Sequence, residues 1–285
     1  MKAKGVFIFL SVIFVVLVVL SLVITFVQNE IPLGEKVALV RVEGPIIESK
    51  TAVDELKGYR KDKSVKAVVL RVNSPGGGVV AAQEIYEEVK RTAAVKKVVV
   101  SMGALAASGG YYISAPGSVI IANPGTITGS IGVIMEVPNI KGLLDRLGVK
   151  SEVITSGRHK DLASPLRGIG KEERGILQGV MDDIHEQFIK SVAESRKMPV
   201  DKVRALADGR VFSGRQAMKL GLVDQLGDLQ AAIKKAGALA GISGEPEVVT
   251  KKGKSAWLEL LEGKVPAGIL NRLTSADVQY MYRVY

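Results

Sequence analysis

Cysteine is absent from the 285 residues. That excludes a disulfide framework, a thiol nucleophile, an iron–sulfur cluster and any cysteine zinc site. Histidine occurs only twice, at His159 and His185. A histidine-rich metal centre is therefore excluded, and a Ser-His-Asp triad would have to use one of those two. No HExxH pattern is present, and no metal or cofactor is expected. Acidic residues are outnumbered, leaving a net charge of +10. The lysines and arginines are scattered among acids, however, with no basic block interleaved with aromatics, so nucleic-acid binding is not expected. With 47% hydrophobic and 24% charged residues, the composition is that of a folded chain of one or two domains.

Charge is missing altogether from Val6 to Val27. A helix of that length covers ~33 Å, enough for a hydrocarbon core of ~30 Å. A cleaved signal peptide has a shorter apolar core, ~7–15 residues, followed by small residues at the cleavage site. Here the run ends in ITFVQNE with no A-x-A pattern, so an uncleaved transmembrane anchor is expected. Lys2 and Lys4 precede it and Glu30 follows it. The positive-inside rule then places the N-terminus in the cytoplasm and the following domain outside the membrane. Residues 1–28 thus form a stub and anchor, 29–36 a linker with Pro32 and Gly34, and 251–285 a tail of different character.

Between them strand-like and helix-like runs alternate. Val37–Val42, Val65–Val72, Lys97–Met102, Ser118–Ala122 and Ser151–Thr155 read as strands, and Ile131–Met135 as a β-rich run. Thr51–Tyr59, Val79–Lys96, Ser108–Ser114, Ile140–Leu147 and Lys171–Lys197 read as helices, followed by Val200–Ala207, Gly214–Leu220 and Asp228–Ala240. Near-continuous apolar strands separated by helices predict an α/β fold of parallel strands with right-handed crossovers. Ile176, Val180, Ile184, Phe188 and Val192 recur every four residues, an apolar stripe for packing.

Three glycine-rich stretches follow strands. In Asn73–Gly78 (NSPGGG) a proline and three glycines can aim N–H groups into one space, an anion or oxyanion cradle; a plain tight turn is the alternative. In Gly103–Gly110 (GALAASGG) Ser108 stands among small residues at a helix start, as a nucleophile or as an N-cap. In Gly125–Gly132 (GTITGSIG) Ser130 is a hydrogen-bond partner for a catalytic group or an ordinary loop hydroxyl. A serine nucleophile needs a base. His185 lies within the long helix, suited to a packing role. His159 and Lys160 share the loop SGRHKD, and a lysine can serve where desolvation lowers its pKa. The residues alone leave His159 and Lys160 both open.

Five blocks in order, RVNSPGGG, SMGALAASGGYYISAP, NPGTITGSIGV, SGRHKDLASP and DGRVFSGRQAMKLGLVD, resemble the signal peptide peptidase A (SppA) family of membrane-anchored serine proteases. The resemblance implies a Clp/crotonase-like fold over residues 37–250. It implies Ser108 as nucleophile, Lys160 as general base and Ser130 as the partner of that lysine. Oxyanion N–H groups would come from Gly76 or Gly77 and from Gly109. It further implies peptide substrates such as signal peptide remnants, and a homo-oligomer enclosing its active sites. Stretches at Val79–Val80 and Ile131–Met135 are expected to pair with an extended substrate. The tail segment Ala256–Leu273 is amphipathic and is expected to dock on a neighbour, touch the membrane or cover the site. A stomatin-directed protease of a related family, and an acyl-CoA-handling crotonase-like enzyme, are the alternatives.

Overall fold

The computed structural model describes residues 11–21, 35–251 and 279–281. Residues 11–21 form a helix, α1, whose apolar side chains Val12 to Leu20 are exposed. The remaining residues of the expected anchor lie outside the described ones. Among the described residues no helix is long and apolar enough to cross a membrane.

The main body alternates strands and helices in the order β1 (Lys36–Glu43), α2 (Lys50–Lys61), β2 (Val65–Ser74), β3 (Gly76–Gly78), α3 (Val79–Ala93), β4 (Lys97–Ala107), α4 (Gly109–Ser114), β5 (Val119–Ala122) and β6 (Ile127–Gly129). Then come α5 (Lys141–Arg146), α6 (Lys171–Arg196), α7 (Val200–Arg204), β7 (Val211–Ser213), α8 (Gly214–Leu220), β8 (Gln225–Leu226), α9 (Leu229–Leu239) and β9 (Glu247–Val249). A last strand, β10 (Gln279–Met281), follows.

The sheet runs β7-β6-β4-β2-β1-β9, with β5 and β8 branching from β4. Its pairs are parallel except β6 with β7. Side chains of a strand alternate between faces, and both faces here are apolar. Val37, Leu39, Ala67, Val69 and Val99 meet Ala232, Ile233 and Ala236 of α9. Val40, Val68, Leu70, Val98 and Val100 join the larger core with Leu56 of α2, Ile85 and Val89 of α3 and Tyr112 of α4. This is the α/β arrangement the near-continuous apolar runs predict.

Four expectations need correction. The strand expected at Lys97–Met102 does not stop there but continues to Ala107 in β4, with the Thr126 and Thr128 hydroxyls donating to the carbonyls of Gly103 and Ala106 at 2.7 and 2.6 Å. Ser151–Thr155 is not a strand: it pairs with no strand among the described residues, and Ile154 is 98% exposed. β-Branched residues favour a half-buried pleated surface, and this stretch has none to join. Ile131–Met135 is likewise no strand, with one bridge residue at Ile134. The α6 stripe packs only in its second half, where Phe188 and Val192 are buried, while Ile176 and Val180 stay exposed. Phe188 sits edge-on to Tyr112 at 4.9 Å between centroids, and Tyr112 lies 4.8 Å from Tyr86. Asp228 caps α9, accepting from the Ala231 N–H at 2.8 Å.

Candidate active site

Parallel strands deliver their carboxyl ends to one edge of a sheet, and loops there are free to carry chemistry. Strands β2, β4 and β6 end next to one another. Ser74 pairs with Ala106, and Ala107 with Gly129. The residues that follow each strand are therefore neighbours: the glycine loop after Ser74, Ser108 after Ala107, and Ser130 after Gly129.

Ser108 has φ 54° and ψ −118° and is 1% exposed. Its hydroxyl makes no capping bond to α4, so the N-cap reading fails. A non-glycine residue in this conformation is strained, and strain persists only where the surroundings enforce it. Two bonds enforce it here. The Ser108 N–H donates to Gly129 O at 2.8 Å, and its carbonyl accepts from the Tyr112 N–H at 2.8 Å. Gly110 then approaches the β2 end so closely that a Cβ on it would stand 2.7 Å from Ser74 O. Tyr111 anchors the helix behind, fully buried, donating to Leu222 O at 3.0 Å. Burial pushes its phenol pKa upward, and Tyr112 beside it is buried as well. Ser130 is also strained, at φ 50°, and its N–H donates to Arg210 O at 2.8 Å.

The glycine loop separates its donors by direction. The Gly76 N–H donates to Ser74 Oγ at 3.0 Å, and the Gly78 N–H to Ile46 O at 2.8 Å. The Gly76 carbonyl accepts from the Ile46 N–H at 2.8 Å. Successive peptide groups of a strand point to opposite sides. The N–H of Gly77 therefore turns away from Ile46, toward the side on which β10 pairs with the loop. Of the two glycines left open by the sequence, Gly77 is the one whose N–H neither Ser74 nor Ile46 claims. At the first helical position of α4, Gly109 also has an N–H that no intrahelical bond uses. Ser74 and Ile46, which aim the loop, went unnoticed in the sequence. The signal for Ser74 was there, because a serine two residues before a glycine commonly makes such a turn.

Lys160 lies in the segment between α5 and α6. Its side chain is exposed, and among the described residues no hydrogen bond joins its amine to Ser108 or Ser130. Its loop is nevertheless ordered. Arg167 donates to Asp161 at 2.8 and 3.0 Å and to Glu173 at 2.7 Å, and Arg158 donates to Glu172 at 2.7 Å. The Arg167 hydrogen bond holds the Glu173 carboxyl down at about 2 and also lowers Asp161. His159 sits beside Glu172 at 3.6 Å, with its Nδ1 buried and unpartnered among the described residues. His185 borders a cleft with Asp182, Val133 and Asp208.

Comparison with known proteins decides the family. The model of peptidase family S49 matches residues 90–243, and that of Clp protease matches residues 40–123. A putative protease of Synechocystis is 42% identical over 247 residues, covering 86% of this chain and 85% of its own. The chain belongs to peptidase family S49. It is a serine peptidase related to SppA and Protease 4. A putative protease of Methanocaldococcus jannaschii is 37% identical over 86% of each chain. Protease 4 of Salmonella typhi is 37% identical over 73% of this chain and 35% of its own. The mostly parallel sheet fits the Clp-like fold that the second match implies.

Proposed function

We propose that this S49 peptidase hydrolyses peptide bonds with a Ser108–Lys160 dyad, Ser130 orienting the lysine amine. The observation that carries the reading is the enforced strain at Ser108, which follows β4 beside Ser130 and the glycine loop. Neutral Lys160 takes the Ser108 Oγ proton as the oxygen attacks the substrate carbonyl carbon. The N–H groups of Gly77 and Gly109 receive the oxyanion, each such donor being worth ~2.7–4 kcal/mol of barrier. The lysine ammonium then protonates the leaving amine as the C–N bond breaks, leaving an acyl-enzyme. Water, deprotonated by the same amine, hydrolyses the ester and restores Ser108. Activity rises toward alkaline pH, because only the uncharged amine can act.

The exposure of Lys160 favours a lysine supplied by a neighbouring copy. Around its loop Leu147, Val149, Val153 and Ile154 are exposed, as are Ile176 and Val180 on α6. An apolar face of this kind suits a subunit interface. The working form is thus a homo-oligomer, anchored by the apolar run 6–27 with its N-terminus in the cytoplasm. Residues 37–250 form the protease domain outside the membrane, acting on extended apolar peptides such as signal peptide remnants.

Labelling with a fluorophosphonate probe tests the site. Ser108→Ala and Lys160→Ala should each abolish labelling and peptide hydrolysis while remaining folded. Near-normal turnover in either removes that residue from the mechanism. Mixing the two inactive variants should restore part of the activity if the lysine comes from a neighbour, and none if it does not.

A further inference from the structure

Strand β6 ends in two residues of positive φ, Gly129 at 80° and Ser130 at 50°. The glycine tolerates this, but a serine there is strained. Antiparallel pairing with β7 brings the chain to that point, with Thr128 opposite Phe212 and Gly129 opposite Val211. Two further bonds extend the ladder past the strand ends. The Ser130 N–H donates to Arg210 O at 2.8 Å, and the Gly209 N–H donates to Ile131 O at 3.2 Å. Residues 209 and 210 thus grip the backbone on both sides of the Ser130 side chain. The Gly129 carbonyl, one residue before, is the one that accepts from the Ser108 N–H.

One carboxylate shapes that grip. Asp208 Oδ1 accepts from the Arg210 N–H at 3.1 Å, closing an Asx turn over Gly209, whose φ is 86°. The Arg210 guanidinium folds back on the same carboxylate, its Nε lying 2.7 and 2.8 Å from the two oxygens. These bonds hold the Asp208 carboxyl down at about 2, so it is ionised at neutral and alkaline pH. Both side chains are exposed, and an exposed ion pair contributes little to global stability. The effect of this one is local, on the backbone that carries Ser130.

We infer that Asp208 is a positioning residue, setting the Ser130 hydroxyl for the lysine amine by way of the Arg210 backbone. The inference rests on the reading of Ser108, Ser130 and Lys160 as the peptidase machinery, but the grip on Ser130 can be measured without catalysis. Without the Asx turn, Ser130 relaxes from its strained φ and its hydroxyl moves. A shift of about 1 Å in a catalytic group costs about 10²-fold. The β6–β7 pairing stays in place and limits the shift, so Asp208→Ala should lower kcat about ten-fold with KM unchanged.

The test uses the full chain. Asp208→Ala should slow hydrolysis of a fluorogenic peptide and labelling by a fluorophosphonate together, with KM and melting temperature near normal. Asp208→Asn keeps the acceptor of the Asx turn without the charge and should return most of the rate. On a Ser130→Ala background, followed by labelling rate, Asp208→Ala should cost nothing more, because the group it positions is gone. Gly209→Ala attacks the same turn through its positive φ, with nothing within 4 Å of the new Cβ, and should slow kcat in the same way. Amide exchange at residues 129–131 should accelerate in Asp208→Ala, even with Ser108→Ala present. Unchanged exchange overturns the grip, whatever the activity. Normal kcat in Asp208→Ala, a loss as large without Ser130, or an Asp208→Asn enzyme as slow as Asp208→Ala overturns the positioning role. Faster exchange in a chain whose parent neither labels nor hydrolyses peptide overturns the peptidase reading instead and leaves the grip standing.

Discussion

Replacing Gly77 with alanine should disable the enzyme without unfolding it. A Cβ built on Gly77 would stand 2.0 Å from Ile46 O, 2.6 Å from its carbonyl carbon and 2.7 Å from its nitrogen. All three are backbone atoms, so no side chain can swing aside. Ordinary non-bonded carbon contacts lie near 3.5 Å, which requires the loop and the Ile46 strand to part by roughly 1 Å or more. A displacement of about 1 Å in a catalytic group costs about 10²-fold, and complete loss of one oxyanion donor about 10²- to 10³-fold. The expected kcat is therefore lower by about 10²- to 10³-fold, a barrier increase of ~2.7–4 kcal/mol. The measurement is kcat on a fluorogenic peptide, with a thermal melt confirming the fold. Gly58→Ala is the matched control. It lies exposed within α2, with nothing within 4 Å of a Cβ. It should leave kcat unchanged and stabilise the fold by about 0.5–1 kcal/mol. A Gly77→Ala enzyme with near-normal kcat would refute the placing of the oxyanion donor on this loop.

The two halves of α6 should respond differently to substitution. Phe188→Ala should cost ~3–5 kcal/mol in urea unfolding, because the ring is fully buried. Val180→Asp should leave unfolding nearly unchanged and lower the assembled mass in sedimentation; an unchanged mass would exclude this face from the interface. Glu88 is 2% exposed and held by Arg60 at 2.8 Å and Arg91 at 3.6 Å. Arg60→Met should destabilise by about 3 kcal/mol, the low end for an orphaned buried charge, and Arg60→Met with Glu88→Leu should recover most of it. A single-variant loss below ~1 kcal/mol would show that Arg91 suffices. Acid should loosen the Lys160 loop. Glu173 and Asp161 are both depressed by the Arg167 hydrogen bond, so their contribution is complete above ordinary carboxylate pKa values and is lost as pH falls below them, for Glu173 toward about 2. Amide exchange across residues 157–168, corrected for intrinsic rate, should accelerate between pH 5 and pH 3 if that network orders the loop (about the window in which carboxylates protonate).

The parts of the fold legible in the sequence were those with strong periodicity. Val65–Val72 and Lys97–Met102 are β-branched on both faces, and the matching strands are buried on both. Ser151–Thr155 has the same residue types and forms no strand. Composition signals a wish to be covered; only the three-dimensional arrangement shows whether a partner edge is available. Gly103–Ala107 departs in the other direction, continuing a strand expected to end at Met102. Its small residues look like a loop, yet smallness is what permits β4 to pass Asn73, where a Cβ on Gly103 would sit 2.8 Å from Asn73 Oδ1. At the candidate site, Ser108, Ser130 and the glycine loop stand near one another because each directly follows a strand of one sheet. Which glycine N–H is available could not be read, since that depends on Ile46 and Ser74 claiming the other two. The exposure of Lys160 was equally hidden, since a loop residue carries no periodic pattern that fixes its burial.

The loop Gly76–Gly78 has no side chains. A polypeptide lying on it meets only amides and carbonyls. Such a surface grips any extended backbone with equal force and is indifferent to what that backbone carries. Whatever selectivity the enzyme has must be imposed elsewhere, by neighbouring walls or by restricting which chains can arrive unfolded.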